Sequence, residues 1–416
     1  MTEHHDASQS LADWLFRIET LHGTDIELGL TRVRQVAERL GLLPLDSRVL
    51  LVGGTNGKGS TCAMMEQILL AAGHDVAVFS SPHLIRYTER LRLNSEELPA
   101  AEHCQAFEAV EAARGDISLT YFEFSTLAAL WLCRRHKPDV VILEVGLGGR
   151  LDATNIVDAD VAVVTSIDID HQAFLGDCRE GIAREKAGIC RPGRPLICGE
   201  PDAPASLAET ARDVGAKLLQ VGRDFSYRLD GEQWGFSGAR ERRALPLPSL
   251  PLANAATALA ALDALGIALP DDAVSLGLAK AGLPGRLQVW QEKPLVLLDV
   301  AHNPHAARYL NARLRTKKGQ GRVIAVCAML ADKDMAGTLS ELDCIDRWLL
   351  AELPSTPRAA KAGELAALLP PDDVAGCFAS VGQALEQALA LASAEDVVIV
   401  FGSFYTVADV LAAKGD

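Results

Sequence analysis

Leu50, Leu51, Val52, Gly53, Gly54, Thr55, Asn56, Gly57, Lys58, Gly59 and Ser60 run from an apolar strand into a glycine-rich turn that carries one lysine. Small residues in such a turn let backbone N–H groups approach phosphate oxygens, and a lysine inside it can reach the β and γ phosphates. The pattern that follows predicts a helix whose positive dipole end faces the same point. The stretch therefore predicts a cradle for ATP or GTP. It is a shortened variant of the usual phosphate loop, because Val52 stands where the first glycine would be and Gly59 where a serine or threonine would follow the lysine.

The rest of the chain sets the frame for that nucleotide. At 416 residues it is long for one core, and two domains are expected. Hydrophobic residues make up 49% of it, enough to bury sizeable cores. A net charge of −15 argues against a general nucleic-acid or anionic-membrane surface, either of which needs a basic excess. The nine cysteines are scattered without a CxxC pair and read as reduced, mostly buried thiols. The N-terminal MTEHHDASQS is polar and acidic, unlike a signal peptide, so a cytoplasmic chain is expected. The Ala/Leu-rich run 252–269 contains Asn254 and Asp263 and reads as a core helix rather than a membrane span.

Short Val/Ile/Leu runs alternate with longer helical patterns, the rhythm of an α/β fold. Strands are predicted at 48–52, 74–79, 139–145, 160–167 and 195–198, with helices at 121–135 and 178–189. The strands lack polar alternation, as in a parallel sheet covered on both faces. A second series is predicted at 295–299, 322–327, 347–350 and 396–401. The reading is a first domain over 1–290, a linker at 291–294 and a smaller α/β domain over 295–416.

Ligands of open α/β sheets bind beyond the carboxyl ends of the strands. Glu144 ends one strand, where a carboxylate can either hold Mg²⁺ beside a nucleotide or pair with a lysine. Asp168, Asp170 and His171 follow another, and spacing alone does not assign His171 to a metal. Ser81, after the second strand, reads as a turn residue. Lys186 lies in a charge run, Arg184, Glu185 and Lys186, which reads as a solvated helix face.

Together these pieces resemble the Mur-type amide ligases, in the folylpolyglutamate synthase branch and its bifunctional dihydrofolate synthase form. The resemblance rests on GTNGKGS (54–60), SSPHLIRYTERLRLN (80–94), LTYFEF (119–124), LEVGLGGRLDATN (143–155), DIDHQAFLG (168–176), EKAGI (185–189), LPGRLQ (283–288), LDVAHNPHAA (298–307) and LADKD (330–334). It implies a P-loop ATPase domain of the Mur-ligase type followed by a smaller Rossmann-like C-terminal domain.

The resemblance also implies roles. Thr55, Asn56, Gly57, Lys58, Gly59 and Ser60 would hold ATP phosphates, and Asn254, Arg286, Asp299 and His302 would contact the nucleotide. Ser81, Glu144 and His171 would be Mg²⁺ ligands. Lys186 would be N-carboxylated and help hold a second Mg²⁺, which reverses its reading as a solvated residue. Ile26, Glu27, Leu28, Thr120, Tyr121, Phe122, Leu151, Asp152 and Ala153 would line the pteroate or folate pocket. Lys58, Lys186 and His302 would be the catalytic groups.

The implied reaction is amide formation on 7,8-dihydropteroate and on reduced folates, with ATP activating a carboxylate as an acyl phosphate before the amine of L-glutamate attacks. A monomer acting on small molecules is expected. Three other readings remain. A monofunctional folylpolyglutamate synthase would depart from LTYFEF and GGRLDATN, which this chain keeps. A cell-wall Mur ligase normally carries a whole domain before the loop, whereas 53 residues precede Gly54 here. A GTPase-like switch would need an NKxD segment, which no asparagine of this chain begins. Residues 201–250 take no role.

Overall fold

The structure is a computed structural model that describes residues 9–24 and 26–413. Most of the N-terminal stretch read above for a leader, residues 1–8, lies outside the described residues. The chain divides into two compact units, Met1–Gly282 and Leu283–Asp416.

In the first unit eight strands form one sheet in the order β4-β3-β2-β5-β1-β6-β7-β8. They are β1 (Arg48–Gly53), β2 (Val76–Phe79), β3 (Leu91–Leu93), β4 (Glu96–Glu97), β5 (Val140–Glu144), β6 (Val161–Val164), β7 (Pro195–Cys198) and β8 (Lys217–Gln220). In the sheet order from β2 to β8 all neighbours are parallel, and only the β2–β3 and β3–β4 pairs at one edge are antiparallel. The expected parallel sheet is thus present, with its continuous apolar strands buried on both faces. The hairpin escaped the sequence reading because Arg92, Asn94, Glu96 and Glu97 break the apolar pattern. The same holds for β8, where Lys217 and Gln220 bracket two leucines.

The helix Lys58–Ala71 buries Ser60 through Glu66, Ile68 and Leu69, so it has almost no polar face. The helix Asp271–Lys280 explains this. A Cβ on Gly277 would lie 2.5 Å from the Ile68 Cα, so the two backbones touch where only glycine fits. That contact ties residues up to 280 to the first unit.

Residues 201–250 hold a second sheet, β9 (Ser226–Asp230), β10 (Gln233–Ser237) and β11 (Arg242–Pro246), in the order β11-β10-β9. The buried Arg242 guanidinium forks onto both oxygens of Asp263 at 2.9 and 2.7 Å, pinning this sheet to the helix Leu252–Leu265.

The second unit has six strands, β12 (Gln288–Glu292), β13 (Leu295–Asp299), β14 (Val323–Cys327), β15 (Arg347–Ala351), β16 (Val374–Phe378) and β17 (Val397–Phe401). Their order is β12-β13-β17-β14-β15-β16, parallel except for β12. The boundary between units therefore falls earlier than residue 290, and the expected linker 291–294 instead lies in the β12–β13 hairpin. Proline and charge at Glu292, Lys293 and Pro294 read alike in a tight turn and in a linker; the pairing of Glu292 with Leu295 distinguishes them.

None of the nine cysteines is in a disulfide; Cys178 and Cys377 are exposed and Cys104 is half-buried. Among the described residues no helix is long and apolar enough to cross a membrane.

Candidate active site

The glycine-rich turn leaves β1 between the ends of β5 and β6, where Val52 is paired with Glu144 on one side and Val163 on the other. Its shape is imposed from β6. The Thr165 hydroxyl donates to the Asn56 carbonyl at 2.6 Å, the Thr55 N–H donates to the Ser166 carbonyl at 2.9 Å, and the Asn56 N–H donates to the Ser166 Oγ at 3.0 Å. The Thr55 Oγ1 is engaged by both backbone groups of Asp168. Gly54 sits at φ +146°, so close to Thr165 that a Cβ would lie 1.9 Å from its hydroxyl.

Gly57, left-handed at φ 86°, then opens the helix Lys58–Ala71 with no side-chain cap. The first-turn amides of that helix have no intrahelical acceptor, which leaves them for an anion. The Lys58 ammonium is steered over the loop by the Gly54 and Thr55 carbonyls at 3.0 and 3.3 Å. Asn254 packs on Gly57 from the helix Leu252–Leu265.

A small cleft at the loop is lined by Thr55 and Lys58 on one side, the glycine run Gly146, Leu147, Gly148 on another, and Asp170, His171 and Lys186. Lys186 is not on a solvated face. Its residue is 3% exposed, on the inner side of the helix Arg179–Ala187, and its amine makes no hydrogen bond or ion pair among the described residues. The charge-run reading fails because Arg184 and Glu185 face outward, Glu185 onto Arg150 at 2.8 Å, while the next position turns in. Burial, with the Lys58 charge adding to it, pushes the Lys186 amine down to about 7. An amine neutral near physiological pH can react with CO₂.

Glu144 closes β5 as a buried carboxylate, 6% exposed. His171 stands at the left-handed start of the short helix Gln172–Leu175, its Nε2 4.0 Å from an Asp170 oxygen. The cleft brings His171 and Lys186 together with Lys58, while Ser81 and Glu144 are not part of its lining. Among the described residues no three His, Cys, Asp or Glu side chains converge as a metal set. A carbamate on Lys186 would add two oxygens beside His171 in this cleft, hard donors suited to Mg²⁺.

The segments read for pteroate or folate come together at the start of the helix Tyr121–His136. Thr120 caps it reciprocally with Glu123, and Arg32 links Glu123 to Glu27. The Gly29 N–H donates to the Leu151 carbonyl at 3.3 Å, which joins the segment after Leu28 to the loop before Asp152. Asp152 accepts from the Gly146, Leu147 and Thr154 N–H groups and from the Thr154 hydroxyl, and so shapes the glycine run. Ala153 opens the short helix that Asp152 caps. Phe122 closes over Gly146, where a Cβ would meet its ring at 2.7 Å, and Ile26 is exposed.

Sequence reasoning missed Arg90 here. Its buried guanidinium lies 5.0 Å from the Tyr121 ring centre, and its Nε donates to His83 Nδ1 at 2.8 Å. Burial and then Arg90 push His83 down to about 4. Both residues stand in the quoted 80–94 segment, but only folding sets Arg90 over Tyr121.

In the second unit Arg286, Asp299 and His302 are neighbours. Asp299 accepts from the Leu287 and Ala301 N–H groups at 2.9 and 2.8 Å, and burial pushes its carboxyl up despite Arg286. The Arg286 guanidinium lies 5.2 Å from the Phe404 ring centre, and the His302 ring 6.3 Å from it. Phe404 was not singled out from the sequence; its position just after β17, at a strand end, was the available signal.

Residues 52–222 match the Mur ligase middle domain, and residues 285–404 the Mur ligase glutamate ligase domain. The chain is 53% identical over 407 residues to the dihydrofolate synthase/folylpolyglutamate synthase of Escherichia coli K12, covering 97% of this chain and 96% of that one. It is 44% identical over 426 residues to the Haemophilus influenzae protein of the same name, covering 97% of each. Among solved structures, Escherichia coli FolC in complex with DHPP and ADP superposes with a TM-score of 0.95 at 53% identity, over 98% of each chain. The bifunctional Yersinia pestis enzyme complexed with AMPPNP and Mn superposes with 0.93 at 54% identity, again over 98% of each chain.

Proposed function

The chain belongs to the Mur ligase family, in its dihydrofolate synthase/folylpolyglutamate synthase branch, and on that premise we propose which of its residues carry the steps of the ligation. The protein is an ATP-dependent carbon–nitrogen ligase that adds L-glutamate to 7,8-dihydropteroate, giving dihydrofolate, and to reduced folates, giving folylpolyglutamates. It uses ATP as co-substrate and a divalent cation, ordinarily Mg²⁺.

The observation that carries the assignment is the pairing of Lys58 and Lys186 at one cleft, one ammonium on the phosphate loop and one buried amine held near neutrality. A carboxylate resists attack by an amine, so ATP first converts it to an acyl phosphate. Lys58 and the amides of residues 57–60 hold the phosphates, with Thr55 and Asn56 keeping the loop in shape, and Lys58 offsets charge on the transferring group. Asn254 buttresses the loop against Gly57. Ser81, Glu144, His171 and carboxylated Lys186 would hold the divalent ions, which supply charge neutralisation at the phosphates when bound.

The acceptor lies along Ile26–Leu28, Thr120–Phe122 and Leu151–Ala153, with the rigid Asp152 turn presenting Gly146 and Leu147. Arg286, Asp299 and His302 would contact the nucleotide. The amine of L-glutamate must be neutral to attack; His302, whose Nδ1 lies 2.8 Å from the Val300 carbonyl, is the candidate to take its proton. The net charge of −15 supports a chain that works on small molecules rather than nucleic acid and that stays monomeric.

ADP release in the presence of ATP, Mg²⁺ and L-glutamate, measured with dihydropteroate and separately with tetrahydrofolate, tests this reading. Activity with both is expected. Activity with tetrahydrofolate alone would make the enzyme monofunctional.

A further inference from the structure

Below the phosphate loop, the helix Lys58–Ala71 buries a charge that the ligation does not use. Glu66 is 2% exposed, and its Oε2 accepts from the Arg92 guanidinium at 2.9 Å while its Oε1 is buried with no partner. A buried ion pair generally contributes no more than apolar residues of the same volume, and an unpartnered carboxylate oxygen adds a further cost. Stability therefore does not account for the pair.

Sheet register gives it a neighbour. Arg92 pairs with Val78, Val78 pairs with Ile142, and Glu144 stands two residues beyond Ile142. Side chains alternate with period two, so Arg92 and Glu144 project from the same face, the one that the helix Lys58–Ala71 covers. The separation is two strand spacings of ~4.8 Å and two residues of ~3.3 Å along the strand, or ~12 Å between Cα atoms. An arginine and a glutamate reaching toward each other close that span. Cys62, one turn before Glu66 on the same helix face, is pushed up by burial first and then by the Glu144 charge, with Arg92 and Glu66 also acting on it. The three charged groups thus surround one buried position.

We propose that Glu66 is a positioning residue for Glu144: it holds the Arg92 guanidinium in the interior and keeps it off the Glu144 carboxylate, which then stays turned toward the divalent cation. The proposal rests on Glu144 being a metal ligand. Arg92 without Glu66 would be a buried cation between two carboxylates, its cross-strand neighbour Glu97, which Arg86 and Thr88 already engage, and Glu144, and it would compete with the metal for the Glu144 carboxylate.

The test is Mn²⁺ affinity in the presence of AMPPNP, read from the electron paramagnetic resonance of free Mn²⁺, so that turnover plays no part. Glu66→Gln keeps the shape and removes the charge, and Mn²⁺ affinity should fall at least about tenfold, the range seen when partners of metal ligands are lost. Glu66→Gln combined with Arg92→Met should restore affinity to near wild type, and Arg92→Met alone should keep it at or above wild type. An unchanged affinity in Glu66→Gln overturns the proposal, and so does a double variant as weak as the single. If Glu66→Gln does not fold, Arg92→Met decides: a loss of affinity there overturns the proposal. Glu144→Gln is the separate control, since normal Mn²⁺ binding in that variant would instead remove the metal assignment.

Discussion

Gly57 and Asn254 are packed so closely that a Cβ on the glycine would lie 2.7 Å from the Asn254 Oδ1. Gly57 also sits at φ 86°, which an alanine adopts only under strain. Gly57→Ala should shift the loop away from its productive shape and lower kcat/KM for ATP by about a hundredfold, the scale of an ångström misplacement. Unchanged ATP kinetics in this variant would show that the loop does not hold the phosphates.

Lys186 gives a pH dependence with a definite sign. Its folded value, about 7, lies below the ordinary 10.5, so between those limits the unfolded chain binds more protons and the stability contributed by this group rises with pH. In CO₂-free buffer Lys186→Met should melt higher than wild type at pH 7, and the gap should close toward pH 10. A gap that does not change with pH would mean the amine is not buried in solution.

The same residue has a chemical test. Lys186→Ala should lose activity by orders of magnitude, and short carboxylates should restore part of it by occupying the vacated space. Mass or density evidence of an unmodified ammonium in protein prepared with bicarbonate, Mg²⁺ and ATP would contradict the carbamate.

Glu144 and His171 come from different strand ends. Glu144→Ala and His171→Ala should each raise the Mg²⁺ concentration for half-maximal rate by ~10-fold or more. Normal Mg²⁺ titrations in both variants would place the metal elsewhere.

Asp152 accepts from three backbone N–H groups and one hydroxyl, all within its own loop. Asp152→Ala leaves those donors unpaired in a buried place, at about 1–3 kcal/mol for each donor that water cannot reach. A loss of ~3 kcal/mol or more in urea unfolding is expected. A loss under ~1 kcal/mol would mean that water satisfies the turn.

Some of this was legible in the residues. Unbroken Val/Ile/Leu runs mark strands buried on both faces, and the sequence boundaries of β7 and β13 coincide with the observed ones because a proline or a charge bounds each run. The phosphate loop was legible because glycine and lysine at those positions follow from local backbone needs. Strands with a polar outer face, such as those of the β9–β11 sheet, were not legible, since alternation over five residues resembles a loop.

What the sequence determined by itself is local: an α/β chain, a glycine-rich turn after the first strand, carboxylates at strand ends, and membership of a family through segments in a fixed order. What only the tertiary structure decided is environment. Lys186 and Glu185 are adjacent charges in the chain, yet one is buried with its amine near neutrality while the other pairs with Arg150 in solvent. Arg92 and Glu66 lie far apart in sequence and meet only because β3 folds back beside β2 and the helix covers that face. The free energy of a charge depends on the medium and the partners around it, and both are set by packing between segments that the order of residues does not place side by side.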